Sequence, residues 1–73
     1  MTEKDRRILQ KIISYVHDIT DYSEGMDFDS FLSDKKTISA CAFSVSQIGE
    51  LAKELSDKLQ NAHSEIPWKA IAF

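Results

Sequence analysis

An all-α fold is predicted for this chain by three observations. Two long segments space their apolar residues by threes and fours, as one face of a helix requires. No segment alternates apolar and polar residues long enough to make a strand. Helix-starting and helix-stopping residues stand at the ends of the apolar segments, where a helical reading needs them.

The first helix is expected from about Thr2 to about Ser23. Thr2 is an N-cap residue, and Asp5 follows at the position that completes a short variant of the capping box. Glu3 and Asp5 also suit the positive end of the helix dipole. Ile8, Ile12, Tyr15, Ile19 and Tyr22 continue one apolar face, and Gly25 stands where a helix commonly ends.

A short corner helix is expected next, over Asp27–Ser33. Asp27 can cap it, and Phe28, Phe31 and Leu32 share a face. Asp34 is then a suitable N-cap for a third helix. No Pro interrupts the chain from there to Pro67, and the apolar series Cys41, Val45, Ile48, Ala52, Leu55, Leu59 holds one line. A parallel series through Ile38, Ala42, Val45, Gly49 and Ala52 widens the face, as in a helix that packs on more than one neighbour. The third helix is expected from about Lys35 to about Gln60, roughly 26 residues and 39 Å long. Gly49 inside it costs about 1 kcal/mol of helix propensity relative to Ala, and suggests close approach of another helix. Pro67 suits the first turn of a final helix, with Trp68 and Ile71 three apart on one face. The expected architecture is an antiparallel hairpin of the first and third helices, a corner helix between them, and a truncated fourth helix.

Seventy-three residues make one domain, taken here as 1–73, with too little chain to bury a large core. A wide apolar face on so short a chain predicts self-association. The net charge of −3 gives no global support for nucleic-acid binding. Lys4, Arg6, Arg7 and Lys11 cluster near the start, whereas Ile12–Asp34 contains no Lys or Arg. The basic cluster reads first as a solvated helix face. Cys41 is the only cysteine, which excludes an internal disulfide, and its apolar setting suits a small buried hydrophobe. There is no apolar run of about 20 residues and no signal-peptide pattern, so the expected location is the cytoplasm.

Several chemistries fail on spacing. Counted from Asp27, a calcium loop would need Gly at Leu32 and Glu at Ile38. His17 and His63 have no His or Cys partner at metal-ligand spacing. No G-x-S-x-G elbow is present, and the two glycines, Gly25 and Gly49, make no phosphate loop. Trp68, at the start of a helix, is expected to plug the core over the hairpin rather than to stack on a base.

The segment Ile48-Gly49-Glu50-Leu51-Ala52-Lys53-Glu54-Leu55, followed by Ile66-Pro67-Trp68-Lys69-Ala70-Ile71, resembles the HepT-like branch of the HEPN helical superfamily. That family's pattern runs "IGE-A--L", then "IPW--I", then an Arg-Asn pair that opens an RxxxxHxY motif. Phe31 and Asp34 match its "F--D" corner. The resemblance implies a homodimeric helical bundle acting as the toxin of a toxin–antitoxin pair, with a nucleotidyltransferase antitoxin as partner. It further implies metal-independent RNA cleavage through the Arg and His of RxxxxHxY, whose Tyr the antitoxin modifies.

These 73 residues contain no RxxxxHxY motif, and their only Arg residues are Arg6 and Arg7, in the first helix. The chain is therefore expected to be a HepT-like ribonuclease that is catalytically incomplete in this form. No catalytic, cofactor or metal residue is assigned. RNA is an expected partner only of a longer form. Gln47, Gly49, Glu50, Trp68 and Ile71 are the expected cleft or interface residues: the resemblance sets Glu50 near a cleft, either orienting a basic partner or pairing on the surface with Lys53, and the apolar face of Trp68 and Ile71 is an expected contact surface. The alternative is a non-catalytic helical module for dimerisation or for docking to a nucleotidyltransferase.

Overall fold

The computed structural model describes residues 1–72. Five helices follow in order: α1 (Glu3–Ser23), α2 (Phe28–Ser33), α3 (Lys35–Lys53), α4 (Asp57–Ala62) and α5 (Trp68–Ile71). No strand occurs among the described residues, so the all-α expectation holds. No helix among them is long and apolar enough to cross a membrane.

The local signals at the first three helix starts act as expected. The Thr2 hydroxyl accepts the Asp5 N–H at 3.0 Å, the Asp27 carboxylate accepts from Ser30 at 2.7 Å, and Asp34 accepts from Thr37 at 3.1 Å. Each satisfies a backbone donor that the first turn of a helix leaves without an internal partner. Gly25 takes φ +76°, the left-handed conformation that ends α1 and that only glycine adopts at little cost.

Helices α1 and α3 form the hairpin. Asp5 meets Ser56, just past the end of α3, while the Tyr15 and Phe43 rings meet edge to face with centroids 6.3 Å apart. Contacts that pair early residues with late ones and middle with middle require antiparallel helices. Ile8, Leu55 and Leu59 make the buried core, with Leu9, Ile12, Leu51 and Trp68 packed around them.

Two expectations about the third helix are overturned. It was expected to reach about Gln60, but α3 ends at Lys53 and a separate helix, α4, starts at Asp57. Ser56, at the break, is held both from within the segment and from α1. Ser56 adopts an extended N-cap conformation, its N–H and hydroxyl both directed to the Asp5 carboxylate and its hydroxyl oxygen accepting from Leu59. The inward line of α3 also differs, running through Cys41, Ser44, Gly49 and Ala52 as the buried positions. Ser44 is buried, while Val45 is 41 % exposed and Ala42 lies at the surface. The face was read one position too wide because its true direction is set by where α1 lies against it.

This register leaves apolar surface open. Ile13 and Val16 follow the inward residues Ile12 and Tyr15 by one position on α1. Ala42 and Val45 follow Cys41 and Ser44 by one position on α3. In an antiparallel pair, that shared offset turns both sets to the same side of the hairpin. Ile13 is 55 % exposed and Val16 47 %.

Candidate functional site

Side-chain hydrogen bonds cluster at the end of the hairpin where α3, α4 and α5 meet. Breaking α3 frees backbone groups that a continuous helix would have paired internally, and side chains take them up. The Gln60 amide donates to the Leu55 carbonyl at 3.0 Å and to the Ala52 carbonyl at 3.5 Å. The Trp68 indole N–H donates to the carbonyls of Gln60 at 3.2 Å and His63 at 3.1 Å, while its ring packs against the Ile8, Leu55 and Leu59 cluster. Among the described residues, no buried side-chain polar atom lacks a partner.

Trp68 is thus the expected plug over the hairpin. Trp68 is half-buried, its ring packed against the core, and Ile71 is half-buried as well. Pro67 stands one position earlier than expected, as the N-cap residue of α5, with its carbonyl accepting from Ala70 and Ile71.

Asp5 is 2 % exposed and sits on the inner side of the same junction. The Ser56 hydroxyl and then the Ser56 N–H hold its carboxyl below the ordinary range, because both bonds favour the charged form. A hollow of about 440 Å³ lies beside it, bordered by Thr2, Asp5, Ser56, Lys58 and His63 among others. Sequence reading gave Asp5 only local roles, in the capping box and at the dipole of the first turn of α1. Its burial and its link to Ser56 are tertiary facts that no local pattern carries.

The other candidates are placed as follows. Gly49 is buried on α3, in keeping with close packing there. Gln47 is half-buried and borders a shallow hollow of about 320 Å³ with Lys11, Ser14, Tyr15 and Leu51. Glu50 is exposed and pairs with Lys53 at 3.0 Å, which is the surface-pair arrangement. The hydrogen bond and ion pair of Glu50 go to Lys53, not to Trp68 or Ile71.

His63 lies exposed just past α4, with Nδ1 3.6 Å from the Glu65 carboxylate. His17 is exposed on α1. Arg6 and Arg7 share Glu3 at 4.0 and 3.5 Å and are mostly solvent-exposed, so the basic cluster forms a solvated face. No group of three metal-ligating side chains occurs among the described residues. Cys41 is a free, buried thiol. Neither His17 nor His63 has an Arg four to six residues before it, the arrangement that the resemblance implies for the family motif.

Fold and junction together define an all-helical bundle domain, built on an α1/α3 hairpin and closed at one end by a tryptophan-bearing helix. A family model described as "Ribonuclease HepT-like" matches residues 12–72, and the chain belongs to that family. A Methanocaldococcus jannaschii protein named as a candidate RNase is 41 % identical over 73 residues, covering 99 % of this chain and 60 % of that protein. A protein of Thermococcus cleftensis named as a probable ribonuclease HepT is 31 % identical over 72 residues, covering 99 % of this chain and 66 % of that one. The chain therefore spans less than two thirds of the length of these curated relatives. No solved structure matches it.

Proposed function

We propose that this chain is the helical scaffold of a HepT-like ribonuclease toxin and does not cleave RNA by itself. The observation that carries the reading is the family match over residues 12–72, joined to the absence of an RxxxxHxY motif from the 73-residue sequence. In the family pattern that motif follows "IPW--I". Here the matching residues open α5, with Trp68 fixed to the core by its ring and by two hydrogen bonds. The scaffold role is thus to hold the start of the helix from which the chemistry would follow.

Under this proposal the protein is cytoplasmic and homodimeric, with a nucleotidyltransferase antitoxin as partner and RNA as the substrate of a longer form. The open apolar side at Ile13, Val16 and Val45 supports association of some kind, because contiguous exposed apolar surface usually marks an interface.

The test is to fuse, after residue 73, a segment that carries the family's RxxxxHxY motif. Cleavage of RNA by the fusion, lost when that motif's His is replaced by Ala, is the expected result. A fusion that folds but leaves RNA intact would favour the second reading. In that reading the chain is a non-catalytic module for dimerisation or for docking to a nucleotidyltransferase. The same open apolar side speaks for it.

A further inference from the structure

We infer that Asp5 is a latch that divides one sequence-continuous helix into α3 and α4 and thereby positions α5. Residues 50–60 contain no Pro and no Gly, so no helix-breaking residue obliges α3 to stop at Lys53. The apolar line runs on through Leu55 and Leu59, so a straight helix to Gln60 would keep its pattern. The broken form is favoured by side chains that occupy the released backbone groups. Ser56 serves Leu59 and Gln60 serves Leu55, while Trp68 serves Gln60 and His63 at the far end of α4. All of these lie on the segment itself and travel with it.

Asp5 is the exception. It reaches Ser56 from α1, 51 positions away, accepting the N–H at 2.9 Å and the hydroxyl at 2.6 Å. In a straight helix the Ser56 N–H would bond to the Ala52 carbonyl, and both Asp5 contacts would lapse. α4 would then continue the line of α3 and draw Trp68 away from Ile8. Asp5 therefore acts on α5 through Ser56, as a positioning residue with no contact of its own to Trp68 among the hydrogen bonds of either side chain.

The experiment uses the 73-residue chain and two variants. Backbone carbon chemical shifts report helix at Glu54, Leu55 and Ser56, and the emission of Trp68, the only tryptophan, reports whether α5 is docked. Asp5→Ala is expected to give helical shifts at those three positions and a red shift of Trp68 emission. Asp5→Ala/Ser56→Pro is expected to restore both signals to those of the unaltered chain. Proline fits the Ser56 backbone, whose φ is −62°, and forbids a straight helix without any carboxylate. Unchanged shifts at 54–56 in Asp5→Ala would overturn the inference. If Asp5→Ala fails to fold, a folded double variant with native emission supports the latch. An unfolded double variant overturns it, because Asp5 would then serve stability in general rather than the break.

Discussion

The carboxylate of Asp5, near the start of α1, accepts two hydrogen bonds from Ser56, at the joint between α3 and α4. One contact between the two ends of the hairpin thus fixes both the closure of α1 on α3 and the point where α3 stops. Several measurable consequences come from this contact and from the packing around it.

Acid should destabilise the fold, and Asp5 should account for part of the effect. Asp5, Asp27 and Asp34 are all held below the ordinary carboxylate range, Asp5 by Ser56, Asp27 by the Ser30 N–H and Asp34 by the Thr37 N–H. A carboxyl whose pKa is lower when folded contributes stability above its unfolded value, about 3.9, and loses it as pH falls through the lower folded value. Thermal melts followed by circular dichroism should therefore be level from neutral pH to about 5 and fall below about 4. Asp5→Asn should make the acid slope shallower; an identical slope would show that the Asp5 charge is not linked to folding.

The core should respond far more than the surface to the same truncation. Leu55 is 3 % exposed and lies in the Ile8 and Leu59 cluster, so Leu55→Ala should cost about 2–5 kcal/mol. Leu32 is 54 % exposed, and Leu32→Ala should stay within about 0.5 kcal/mol. Urea denaturation reads both. Equal losses would mean that the core is drawn in the wrong place.

Self-association should depend on the open side of the hairpin. Ile13, Val16 and Val45 are each more than a third exposed and turn the same way. Light scattering of the unaltered chain at micromolar concentration should return more than the monomer mass. An Ile13→Lys/Val45→Lys variant should return the monomer mass with little change in helix content. A monomer from the unaltered chain would contradict the association.

What the sequence made legible was local. The starts at Thr2, Asp27 and Asp34 could be read because each cap bonds three residues ahead of itself. The Gly25 stop follows from one residue's backbone freedom. The break after Lys53 was missed although Ser56 caps α4 by the same three-ahead bond; the two Asp5 bonds that join it come from α1, where no local pattern shows them. The inward choice of Ser44 over Val45 could not be read either, because apolar spacing alone allowed both lines and the position of α1 decides between them. Of the candidate site, Trp68 as core plug was legible from its place after Pro67. Glu50 was left open between two arrangements, and the structure places it in the surface pair with Lys53.

The central functional claim is that these 73 residues hold a scaffold without the chemistry, and incubation of the purified chain with total RNA tests it most directly. Lys4, Arg6, Arg7 and Lys11 should give at most weak binding that salt abolishes. The expected result is intact RNA. Cleavage by the unaltered chain that disappears in a His17→Ala/His63→Ala variant would contradict the claim, by showing an active site within the chain itself.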